Sequence, residues 1–165
     1  MTLSGIPLHP LVIHAVVMLV PVAVLSGWAL AFLTGWRWLT RWVALGTTVA
    51  ALASVVVARQ TGKSLLASRP FLTSGTSKVR DLLVTHQQRA GVLLVAVVVL
   101  TIVVAVAFWA LPAASALTTG RLHHAGRDVV WATRSLQALL VVAGLVALAY
   151  VVLTGDAGAR AVWGS

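Results

Sequence analysis

Four stretches free of charged residues, 11–33, 42–58, 90–111 and 135–154, make up about half of this 165-residue chain. An α-helix rises about 1.5 Å per residue, so a hydrocarbon core of about 30 Å takes roughly 20 apolar residues, with about 17 to 25 the usual range. All four stretches meet that length. A backbone in hydrocarbon must satisfy its own N–H and C=O groups, which a lone apolar segment does only as a helix. The pattern predicts an all-α integral membrane four-helix bundle, a single transmembrane domain over 1–165. Composition agrees: 60% of the residues are hydrophobic and 9% charged, against about a quarter charged in soluble domains.

The first stretch reads as a retained span. No Lys or Arg precedes position 37, so the basic segment of a secretory signal is missing, and the apolar run exceeds the roughly 7 to 15 residues of a signal core. The net charge of +9 points to topology rather than nucleic acid, because the basic residues flank the spans. Four spans bring both termini to one side. That side carries Arg59, Lys63, Arg69, Lys78, Arg80, Arg89 and Arg160; the opposite side carries Arg37, Arg41, Arg121, Arg127 and Arg134. Seven against five basic residues place the termini in the cytoplasm of a cell-membrane protein by the positive-inside rule. Trp36, Trp38, Trp42, Trp109 and Trp131 fall at the opposite edge, and Trp163 at the terminal edge, as an interfacial belt.

Breakers divide the chain consistently. Pro7 and Pro10 suit the opening turn of a first helix, and Thr34-Gly35 ends it. Thr61-Gly62 is expected to close the second helix, and 64–78, with Pro70 and Gly75, to be a loop whose Leu65, Leu66, Phe71 and Leu72 lie on the membrane surface. The third helix is expected to begin near Ser77, well outside hydrocarbon, and Pro112 to end it. No internal repeat of the soluble type and no heptad array is visible.

Polar groups converge on the terminal edge. His14 sits one turn inside the first span and His86 one turn before the uncharged part of the third. Two imidazoles at equal depth on facing helices can be the axial ligands of a b-type haem or hold a metal. His9, in the turn before the first helix, can bond the tail or His86. In the tail GDAGARAVWGS, Gly155 and Gly158 permit tight turns, Asp156 can orient an imidazole, and Arg160 can hold a carboxylate such as a haem propionate. The plainer alternative is interfacial histidines bonded to carbonyls or head groups, with a snorkelling arginine at a helix exit. On the opposite side His123, His124 and Asp128 are flanked by Arg121 and Arg127, which favours a solvated loop over a metal site. With no cysteine, thiolate catalysis and Cys-held metal centres are excluded. No nucleophile arrangement, carboxylate pair or phosphate-binding loop is present, so nothing in the sequence points to an enzyme.

The opening GIPLHPLVIH, the VTHQQRAG ahead of the third span and the closing GDAGARAVWG together resemble the bacterial membrane family called domain of unknown function 2231, over the whole chain in order and spacing. The resemblance implies a four-span membrane protein and marks His9, Pro10, His14, His86, Gly155, Asp156, Gly158 and Arg160. It brings no established activity; related architectures joined to iron–sulfur or cytochrome-like domains imply a redox setting. Two expectations follow: a haem-binding or redox-accessory protein with its histidines at one membrane edge, or a non-catalytic subunit or assembly factor. The second would meet other subunits, or a second copy, through a lipid-facing surface of Ala, Val and Gly. A proton or solute carrier is disfavoured, because no span interior holds an ionisable residue that would complete a path across.

Overall fold

The structure, a computed structural model, describes residues 2–3, 6–69, 77–111 and 130–163. Thr2–Leu3 pairs antiparallel with Ile6–Pro7 in a two-residue ladder, and all else of length is helical: α1 (Leu8–Phe32), a 3-10 turn (Thr34–Trp36), α2 (Arg37–Ser68), α3 (Ser77–Ala110) and α4 (Val130–Trp163). All four α-helices are long and apolar enough to cross a membrane.

Two expectations are corrected. α2 runs through Thr61-Gly62 to Ser68, so residues 64–68 are helix rather than loop; Pro70 and Gly75 lie outside the described residues. A mid-helix glycine costs only about 1 kcal/mol relative to alanine, and here Thr61 is buried while Gly62 lies under a histidine ring. For the same reason the GDAGAR tail is no turn: Gly155 and Gly158 are interior to α4. α2 also begins at Arg37, five residues ahead of its uncharged stretch. The Arg37 side chain is only 5% exposed, its Nε donating to the Leu30 carbonyl (3.2 Å) and an Nη to that of Ala31 (3.1 Å). It thereby serves carbonyls that the end of α1 leaves without helical partners. Gln137 of α4 donates to the Ala31 carbonyl as well, at 2.9 Å.

The helices form a ring in which each packs on its two neighbours, with α1 and α3 also touching across the diagonal. That short diagonal decides which helices are inside. In their apolar windows α1 and α3 are 44% and 39% buried, α2 and α4 only 22% and 28%. Val20, Val24, Leu30, Val97, Leu100, Val104 and Leu140 are the large side chains at the centre.

The two hairpins, α1–α2 and α3–α4, bury corresponding positions. Between α1 and α3 the buried pairs are Val16/Leu93, Val20/Val97, Ala23/Leu100, Gly27/Val104, Leu30/Ala107 and Ala31/Phe108, every one 77 positions apart. Between α2 and α4 they are Ala44/Leu140, Thr48/Gly144, Ala51/Ala147, Val55/Val151 and Thr61/Ala157, every one 96 apart. The bundle therefore has an approximate two-fold axis running along its length, relating one hairpin to the other.

Candidate functional site

At one end of the bundle the start of α1, the later part of α2, the start of α3 and the later part of α4 meet around His9 and His86. His9 Nδ1 lies 3.0 Å from the Ala58 carbonyl and 3.3 Å from Thr61 Oγ1, both on α2. His86 Nδ1 lies 2.9 Å from the Thr154 carbonyl on α4. A carbonyl only accepts, so each Nδ1 carries the hydrogen and each neutral ring keeps its lone pair on Nε2. Neither Nε2 has a hydrogen-bond partner among the described residues. The two rings stand 6.5 Å apart between centres and nearly perpendicular, at 83°.

The two histidines are counterparts under the two-fold correspondence, and so are their seats. Ala58 and Gly62 in α2 match Thr154 and Gly158 in α4, in each case a carbonyl and the glycine one turn on. A Cβ on Gly62 would lie 3.0 Å from His9 Cε1, and one on Gly158 would lie 3.1 Å from His86 Cε1. Each glycine is thus the space into which an imidazole folds back to reach the carbonyl one turn earlier. This is the physical reason for glycine inside these two helices, in place of the turn-forming role that sequence suggests.

The remaining expected site residues separate into two groups. Asp156 and Arg160 form an ion pair one helical turn apart at 2.9 Å, and Arg89 approaches Asp156 at 4.0 Å while donating to the Leu153 carbonyl at 2.8 Å. This cluster lies beside His86 but is largely solvated, with Arg160 67% exposed. His14 is apart from it. Five residues along a helix turn a side chain by about 140°, so with His9 facing α2, His14 faces outward; it is exposed, and its Nδ1 bonds the Pro10 carbonyl at 2.8 Å. It makes neither a hydrogen bond nor a ring contact with His86. The structure thus brings His9, rather than His14, to His86.

Three participants escaped sequence reasoning. Thr61 supplies a second acceptor to His9, and Thr154 places a buried hydroxyl without a partner next to the carbonyl that His86 uses. Gly62, after Thr61, has the sequence signature of a helix stop. A signal for it existed: Gly62 and Gly158 lie at like depth in the second and fourth helices, as His9 and His86 do in the first and third. No group of three or more His, Cys, Asp or Glu able to hold a metal ion occurs among the described residues; His123, His124 and Asp128 lie outside them. No protein-family model matches the chain, nor does any curated protein or solved structure.

Proposed function

We propose that this is a multi-pass membrane protein of the cell membrane, with both termini on the cytoplasmic side, whose working centre is the His9–His86 pair at the terminal edge. The pair acts as a two-imidazole coordination site in a redox or metal-handling setting, consistent with the resemblance to the domain-of-unknown-function 2231 family. The observation that carries this reading is the pairing of two Nδ1 atoms pinned to backbone carbonyls with two Nε2 atoms that have no partner. Fixing one ring nitrogen on a carbonyl is how proteins orient a ligating imidazole. Two imidazoles on opposite sides of one ion at about 2.0–2.1 Å put their ring centres about 6 Å apart, close to the 6.5 Å here. The same two side chains would hold a b-type haem, and Asp156 and Arg160 on α4 would supply the charged groups nearest to it. The unpartnered Thr154 hydroxyl offers a further polar atom at the site.

The test is an absorbance spectrum of the detergent-purified protein, followed by copper(I) titration against a chromogenic chelator. One bound equivalent, lost in His9→Asn and in His86→Asn but kept in His14→Ala, is the expected result. A Soret band lost in the same two variants assigns the site to haem. A Soret band that depends on His14 and not on His9 restores the pairing expected from sequence. Neither metal nor haem leaves the second reading, a non-catalytic subunit or assembly factor. What favours that reading is the shallow burial of α2 and α4, which leaves most of two helical faces for another subunit or a second copy.

A further inference from the structure

The seam between α2 and α3 holds a groove lined by Val56, Arg59, Gln60 and Lys63 of α2 and by Leu94 of α3. We propose that this groove is a binding site for one anionic phospholipid, with its phosphate held by Arg59 and Lys63 and an acyl chain lying on Val56 and Leu94.

The order of residues along α2 matches the order of chemistry along a lipid. Arg59 follows the Ala58 carbonyl that receives His9, so it lies at the depth of the terminal edge. Val56 is about one turn deeper in the apolar stretch and Lys63 one turn further out, all on one face. Among the described residues nothing else neutralises the two cations. Neither forms an ion pair or a side-chain hydrogen bond among the described residues. The chain has only three acidic residues; Asp156 is engaged by Arg160 and Arg89, and Asp128 lies outside the described residues. The adjoining ends of α2 and α3 add Arg69, Lys78 and Arg80 against one acid, Asp81. A basic cleft between helices at a membrane edge is the setting in which phosphate head groups are retained.

The approximate two-fold axis supplies an internal control. The equivalent seam, between α4 and α1, has Val152, Gly155, Asp156 and Ala159 where the groove has Val56, Arg59, Gln60 and Lys63, with Val17 in place of Leu94. The apolar floor is kept in kind, both cations are gone and Asp156, itself paired with Arg160, adds a negative charge, so these positions offer no free cation to hold a phosphate.

Native mass spectrometry of the full chain, released from detergent after incubation with phosphatidylglycerol or phosphatidylcholine of identical acyl chains, tests the proposal. The wild type is expected to retain one phosphatidylglycerol in preference to phosphatidylcholine. Each basic residue near an anionic surface contributes about five-fold in affinity, so Arg59→Gln with Lys63→Gln should lower retention about twenty-five-fold, and Arg134→Gln at the opposite end should leave it unchanged. Should the double variant not fold, Lys63→Gln alone, at an exposed position, is expected to show the five-fold step. Equal retention of the two lipids by the wild type, or phosphatidylglycerol retention unmoved by the substitutions, overturns it. Neither result depends on whether the histidine pair binds a metal.

Discussion

The α1–α2 and α3–α4 hairpins bury corresponding positions, most of them with different residues. Where one places Trp28 on its first helix, the other has Ala105; where one places Thr48 on its second helix, the other has Gly144. The exchange is reciprocal across the seams. Trp28 reaches from α1 to α4, donating Nε1–H to the Leu140 carbonyl at 3.1 Å, and a Cβ on Gly144 would come within 2.7 Å of that nitrogen and of Val24 Cγ1. Large meets small on one seam, and an alanine and a threonine occupy the matching positions of the other. Apart from a few aliphatic pairs such as Val20/Val97, identity is kept at His9 and His86, where both hairpins have the same side-chain bond to a carbonyl and the same glycine. Helix geometry sets which positions are buried and leaves their identities open to compensation; identity is held where the two hairpins meet around their common axis.

The comparison breaks most visibly at the Trp28 seam. Trp28→Ala is expected to cost about 3–5 kcal/mol, as aromatic truncations in packed interiors do, and Gly144→Thr alone about 1–3 kcal/mol from overpacking. Combined, the two changes write the α2–α3 pair into the α1–α4 seam, so the added side chain occupies space the indole has left. Thermal unfolding in detergent should show the double variant more stable than the sum of the single losses predicts. Simple additivity would mean that the seams are not equivalent.

A smaller effect is expected at the two glycines beneath the histidines. Alanine for glycine inside a helix ordinarily stabilises by about 1 kcal/mol. At Gly62 and Gly158 the new methyl group meets an imidazole that is tied to a carbonyl and has little room to give. Gly62→Ala and Gly158→Ala should therefore yield no gain in melting temperature, and should weaken metal binding by the histidine pair to similar degrees. Gly91→Ala, at an α3 position with nothing within 4 Å, should show the ordinary gain. An equal gain at all three sites would show that the histidines move aside freely.

How much of this was legible in the sequence follows from the same residues. The four helices were, because apolar length is a property of each segment alone. So was the gathering of His9, His86 and Asp156 at one edge, since depth follows from position along a span. Which histidine faces His86 was not legible: His9 and His14 differ by rotation about α1, and a helix that is apolar nearly all round gives no stripe to orient it. The two-fold relation was hidden for a related reason. It is kept in which positions are buried, and pairs such as Trp28/Ala105 and Thr48/Gly144 share no side-chain chemistry for a sequence repeat to show.

The smallest predicted effect lies where the hairpins differ most in charge. Asp156 of α4 stands where α2 has Gln60, and its ion pairs with Arg160 and Arg89 are the most visible polar contacts of the described residues. Solvated pairs of this kind contribute about 0–1 kcal/mol, and an i,i+4 pair on a helix about 0.3–0.5 kcal/mol. The closer partner, Arg160, is 67% exposed and Arg89 reaches only 4.0 Å. Asp156→Gln, which copies the α2 residue, is therefore expected to shift the melting temperature by no more than a degree or two, while Arg89 keeps its 2.8 Å bond to the Leu153 carbonyl. Its informative consequence is electrostatic. Removing the carboxylate releases Arg160 and takes the one negative charge from the α1–α4 seam, so the variant should gain retention of phosphatidylglycerol over phosphatidylcholine. A gain there with no change in stability would show that charge, on a shared apolar floor, is what distinguishes the two seams; a large loss of stability would instead make Asp156 part of the structural end of the bundle.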